Sequence, residues 1–183
     1  MRAPSDPFAT LSERPGYLRL HLRPQRLSEE SDPSFVGRRQ QHIHFRAETV
    51  LEFIPQNTSE CAGLALVQNS QFHFLLIVTQ TTHPVIQLIR RAQGVEELLA
   101  EQTFNAGTVY LRVEAHEQAY HFSFAEEPGA WYLLAENVDG RILSTPVAGG
   151  FVGAYLAMYA SSNGQSSTNH ADFDWFEYVG LEH

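Results

Sequence analysis

The sequence predicts an all-β fold, a two-sheet antiparallel β-sandwich. Hydrophobic residues alternate with period two through most of the chain, which sets one face inward and one outward. Turn signals break that alternation at short, regular intervals. Almost no stretch carries a helical period, and roughly ten strands with so little helix argue for a sandwich, with a barrel as the alternative.

The elements follow in order. Met1 to Pro15 is rich in Pro, Ser and Asp and shows no period, so residues 1–13 read as a linker or an expression boundary. Leu18, Leu20 and Leu22 alternate with Arg19 and His21. Ile43 and Phe45 alternate with His42, His44 and Arg46. Phe72, Phe74, Leu76 and Val78 keep the rule, as do Val109, Leu111 and Val113, then Tyr120, Phe122 and Phe124, and last Phe173 with Trp175. Val, Ile, Phe, Tyr and Thr are abundant in these runs and suit a pleated surface. Turns are marked by Pro55-Gln56-Asn57, Asn69-Ser70, His83-Pro84, Asn105-Ala106-Gly107, Glu127-Pro128-Gly129 and Ser162-Asn163-Gly164. Two short stretches carry helical character: Val95 to Ala100, where a strand is also open, and Val138 to Leu143, about one turn. There is no internal repeat. The domain division is therefore 1–13 linker, 14–180 one sandwich, and 181–183 (Leu181, Glu182, His183) a tag remnant.

Composition excludes several functions. The 183 residues hold 12 basic and 21 acidic side chains, a formal charge of −9, and every basic residue is Arg. With no Lys there is no Schiff-base or P-loop lysine. An acidic chain repels a phosphate backbone, so no nucleic-acid partner is expected. No apolar run approaches the roughly 18 residues needed to cross a bilayer, so no membrane partner is expected either. A single Cys makes no internal disulfide. That, with no signal peptide at the start, suits a cytoplasmic protein.

Few residues suggest chemistry by themselves. His42 and His44 are two apart and would share a strand face about 6.8 Å apart, but no third metal ligand lies near in sequence. Asp172 and Asp174 have the same spacing. It matches the acid–base separation of an inverting glycosidase, though any D-x-D on a strand does so. They are also the weak candidates for a Ca²⁺ site, and otherwise no cofactor is expected. Cys61 precedes an apolar run and reads as an inert buried thiol. No G-x-S-x-G elbow occurs and no triad forms. Gly149-Gly150-Phe151-Val152-Gly153 stands out: three Gly around one large aromatic, which could pack into the core or project into a partner.

Several stretches together resemble a known family. Arg14-Pro15-Gly16-Tyr17-Leu18-Arg19-Leu20 resembles the opening of the C-terminal domain of glycoside hydrolase family 43 β-xylosidases. Val36-Gly37-Arg38-Arg39-Gln40-Gln41-His42 resembles its V-x-R-R-Q-Q-H strand opening, continued by Phe45-Arg46-Ala47-Glu48-Thr49. Ala62-Gly63-Leu64, Val109-Tyr110-Leu111-Arg112 and Gly149-Gly150-Phe151-Val152-Gly153-Ala154 follow in the family's order. The close is Ala171-Asp172-Phe173-Asp174-Trp175-Phe176-Glu177-Tyr178. The ordered set spans about residues 14–179; Gln80 to Ala100 is only loosely similar.

The resemblance implies a concanavalin-like jelly roll that follows a five-bladed β-propeller, the catalytic domain of the same polypeptide. The carboxylates of an inverting, exo-acting mechanism on xylooligosaccharides would lie on that propeller, with no catalytic residue on this chain, which alone would be inactive. By motif position Phe151, carried by Gly149, Gly150 and Gly153, would wall the terminal xylose. Arg38, Arg39, Gln40 and Gln41 would face the propeller. α-L-Arabinofuranosidase activity and a homo-oligomeric parent stay open. The competing readings are a free-standing carbohydrate-binding module of the same fold and a purely structural cap.

Overall fold

In a computed structural model the chain is described over residues 7–29, 31–105, 107–150 and 153–182. Among them thirteen strands form: β1 (Ala9–Thr10), β2 (Leu18–His21), β3 (Ser34–Arg39), β4 (His44–Phe53), β5 (Cys61–Asn69), β6 (Phe72–Gln80), β7 (Pro84–Ala92), β8 (Val95–Thr103), β9 (Gly107–His116), β10 (Ala119–Ala125), β11 (Tyr132–Asp139), β12 (Tyr155–Ser161) and β13 (His170–Gly180). A 3₁₀ turn (Gly140–Leu143) and one helical turn, α1 (Thr145–Ala148), join β11 to β12. The first sheet runs β1-β2-β13-β4-β9-β10-β11 and the second β3-β12-β5-β6-β7-β8, all neighbours antiparallel. The predicted two-sheet sandwich is the fold.

The core lies between the sheets and is built by the predicted alternation. Leu20, Phe45, Leu111, Val113, Phe122 and Phe173 from the first sheet meet Leu64, Phe74, Leu76, Ile86 and Leu88 from the second. A smaller apolar cluster covers the outer face of the second sheet, where Leu27 packs over Cys61, Ala65, Leu75, Ile77 and Tyr159. Cys61 is buried there, and burial pushes its thiol up to about 11.

Differences from the sequence reading have local causes. Val95 to Ala100 is strand, although Glu, Leu and Ala favour helix. Gln93 and Gly94 both adopt positive φ (52° and 78°), the geometry of a two-residue hairpin turn. That turn folds β8 onto β7 so that Arg90 faces Glu97 and Arg91 faces Glu96, and both pairs close as ion pairs. The Val138–Leu143 stretch divides: Val138 and Asp139 end β11, and the 3₁₀ turn starts at Gly140 with the Asp139 carboxylate accepting the Arg141 N–H at 3.0 Å. Backbone hydrogen bonds also form near both ends of the described chain. β1 lies inside residues 1–13 and pairs with β2, and the His21 N–H donates to the Phe8 carbonyl. At the other end the Leu181 N–H donates to the His44 carbonyl, one residue past β13.

Candidate functional site

The V-x-R-R-Q-Q-H stretch and the glycine loop are over a hundred residues apart in sequence and adjacent in space. β3 pairs with β12 so that Arg39 faces Tyr155. One step beyond, the Gln40 N–H donates to the Ala154 carbonyl at 2.8 Å, where the chain returns from the loop. Arg38, Arg39, Gln40 and Gln41 therefore stand at the same end of the sandwich as Gly149, Gly150 and Gly153. Phe151 and Val152 lie outside the described residues.

Tyr178, from β13, organises the basic side of this end. Its hydroxyl accepts the backbone N–H groups of Gln41 and His42, each at 3.1 Å. Its ring stacks on Phe45 beneath and carries the Arg38 guanidinium 4.2 Å above. Arg38 also donates to Gln41 Oε1 at 2.7 Å. Arg39 lies over Tyr155. Both guanidiniums are exposed, and among the described residues neither forms an ion pair with a carboxylate. They are cations held in place by aromatic rings and turned outward.

Tyr120 organises the other side. It is buried, its hydroxyl donates to Gln40 Oε1 at 3.3 Å, and burial pushes that hydroxyl up to about 12. Its ring occupies the space a side chain at position 140 would need: a Cβ on Gly140 would sit 2.1 Å from a ring carbon. Beside Tyr120 opens a cleft of about 340 Å³ lined by Gln40, Gln41, Ile43, Tyr120, Arg141 and Gly153. Ile43, expected to alternate into the core, precedes β4 and is 61% exposed at this cleft.

The loop is tied down on its leading side as well. Asn69 Nδ2 donates to the Ala148 carbonyl at 3.2 Å and Gln68 Nε2 to the Gly149 carbonyl at 3.3 Å. Gly149 and Gly150 then take φ of 73° and 86°, where only Gly is free of a Cβ penalty. Sequence reasoning missed Gln68, Asn69, Tyr120, Gly140 and Tyr178 as parts of this end. Asn69-Ser70 read only as a turn, Tyr120 only as a step in an alternation, and Tyr178 only as the last residue of the closing motif.

The other sequence candidates lie apart from one another. His42 packs against Tyr178 with Nδ1 3.2 Å from its hydroxyl, whereas the His44 ring lies tilted toward His116 across the strand pair, centroids 6.1 Å apart. Asp172 is buried and already doubly paired: Arg19 Nε and Nη2 donate to it at 2.8 and 2.9 Å, and Arg14 Nη1 at 2.9 Å. Burial alone would raise its carboxyl, but the two guanidiniums outweigh that and hold it below the usual range. Asp174 is exposed at a bulge, where it and Trp175 together oppose the stretch between Leu51 and Thr49, so regular alternation stops at Phe173. Among the described residues no group of three His, Cys, Asp or Glu is placed to hold a metal ion.

Residues 1–179 match a family model described as the β-xylosidase C-terminal concanavalin A-like domain. The chain is 35% identical over 94% of its length to a xylosidase/arabinosidase of Butyrivibrio fibrisolvens, of which it covers 33%. It is 34% identical over its full length to a non-reducing end α-L-arabinofuranosidase of Bacteroides ovatus, covering 34% of that protein. A solved structure described as Bacteroides ovatus xyloglucan PUL GH43B superposes with a TM-score of 0.92 at 33% identity, over 99% of this chain and 36% of that one. The chain thus spans about a third of the length of the relatives it matches.

Proposed function

The chain belongs to the β-xylosidase C-terminal concanavalin A-like domain family, and from that premise we propose that it is the accessory domain of an exo-acting, inverting xylosidase/arabinosidase. The catalytic carboxylates lie on an N-terminal propeller domain, and this chain packs on it through the end that carries Arg38–Gln41 and the glycine loop. Phe151 then walls the pocket that holds the terminal sugar. An apolar wall excludes water, which strengthens every electrostatic interaction inside the pocket, and it closes one side so that only a chain terminus enters. The domain needs no cofactor of its own for this role.

The observation that carries the reading is the convergence of the two motifs. The loop is held on one side by the Gln68 and Asn69 amides and on the other by Gln40, and it emerges beside two outward guanidiniums. Exposed Arg at such an end suits an interface, where planar forked donors are enriched. The relatives' names support a pentose as substrate, xylose or arabinose.

The test is kinetic. Phe151→Ala in the full-length enzyme is expected to lower kcat/KM for a small chromogenic β-xyloside by about tenfold or more. The 183-residue chain alone is expected to turn over nothing. Unchanged kinetics in Phe151→Ala, or turnover by this chain alone, would overturn the reading.

A further inference from the structure

α1 ends at Ala148, and two consecutive glycines with φ of 73° and 86° follow it. Such residues impose little direction of their own, so the departure of the loop is set by the last anchored backbone groups. Those groups are the carbonyls of Ala148 and Gly149. A helix end leaves such carbonyls without intrahelical partners. Here the partners come from 79 and 81 residues away, as the side-chain amides of Asn69 and Gln68.

Neighbouring residues on a regular strand point to opposite faces and could not both reach one helix end. A bulge removes that obstacle. Val67 opposes His73 and Asn69 opposes Phe72, so Gln68 is an extra residue in β5. Asn69 then works with both ends of its amide. Its Oδ1 accepts the Gln71 and Phe72 N–H groups at 2.9 and 3.1 Å, which shapes the β5–β6 turn, while its Nδ2 holds the Ala148 carbonyl. One side chain couples the hairpin tip to the loop.

We infer that Asn69, with Gln68 beside it, is a positioning residue that sets where the glycine loop leaves the sandwich and so where Phe151 meets the terminal sugar. The inference rests on the pocket-wall reading of Phe151. Asn69→Asp in the full-length enzyme isolates the clamp. The acceptor that shapes the turn is kept, and the donor becomes an oxygen facing the Ala148 carbonyl. The expected result is a fall in kcat/KM for a small aryl xyloside of about three- to tenfold, the range one lost hydrogen bond allows. KM rises within that fall, whereas a plain loss of folded enzyme lowers kcat alone. In a Phe151→Ala background Asn69→Asp is expected to add nothing, because both act through the same contact.

If Phe151→Ala lowers kcat/KM but Asn69→Asp does not, or the two losses add fully, the clamp is wrong and the pocket wall stands. If Phe151→Ala is itself silent, the pocket wall falls and the clamp falls with it. Should Asn69→Asp fold poorly, Gln68→Met deletes the second donor without adding charge. It is then expected to lower kcat/KM about twofold with KM raised, and wild-type values in that variant overturn the inference.

Discussion

Asp172→Asn tests how the outer face of the first sheet is held. Asp172 is 3% exposed, and its two oxygens accept three guanidinium N–H bonds of 2.8–2.9 Å from Arg19 and Arg14. Asn has the same shape, but one oxygen becomes an NH₂, so in either orientation at least one guanidinium N–H meets another N–H. Breaking one side of a buried pair costs about 3–5 kcal/mol. The partners here keep some water, with side chains 19% and 33% exposed, and they retain Glu13 and Glu52. The expected loss is therefore nearer to about 2 kcal/mol, or about 4–8 °C in melting temperature for a domain of this size. Urea denaturation measures it as a lowered midpoint at unchanged slope. The folded-state carboxyl of Asp172 lies below its unfolded value of about 3.9, so its contribution is complete above that pH and is lost as pH falls through the folded value. The gap between wild type and variant is expected to be flat from about pH 5 to 8 and to close below about pH 4. A gap under about 0.5 kcal/mol at pH 7, or one that widens toward acid, would refute the argument.

Two further outcomes follow from the same geometry. Gly140→Ala drives a methyl into the buried Tyr120 ring and is expected to destabilise by about 2–3 kcal/mol in urea, with most of that cost gone in a Tyr120→Leu background; equal cost in both backgrounds would show that the ring is not the obstacle. Cys61, buried with its thiol pushed up to about 11, is expected to react with an aromatic disulfide at pH 8 only as fast as the chain opens, so immediate labelling of the native protein counts against that burial.

The alternation of Phe72, Phe74, Leu76 and Val78, and of Val109, Leu111 and Val113, was enough to place two inner faces, because side-chain direction on a strand is a local property with period two. Cys61 was legible for the same reason, as part of an apolar run. Val95 to Ala100 was not, because its own propensities favour helix and the Arg90–Glu97 and Arg91–Glu96 pairs that make it a strand lie across a hairpin. Trp175, 39% exposed, escaped because a bulge breaks the period after Phe173, and nothing in Asp-Phe-Asp-Trp announces an extra residue.

At the candidate site the division is sharper. The glycines around Phe151 were visible in the sequence because only Gly tolerates positive φ without penalty, and Arg38–Gln41 were visible as a motif. Their adjacency depends on β3 pairing with β12, a register held by backbone hydrogen bonds over more than a hundred residues. The Asn69 clamp, the Tyr120–Gly140 fit and the Tyr178 platform are likewise contacts between residues 20 to 140 positions apart. A chain records its local preferences in order, so fold class and turn chemistry can be read along it. Partners that meet only when two sheets close leave no trace in that order until the packing brings them together.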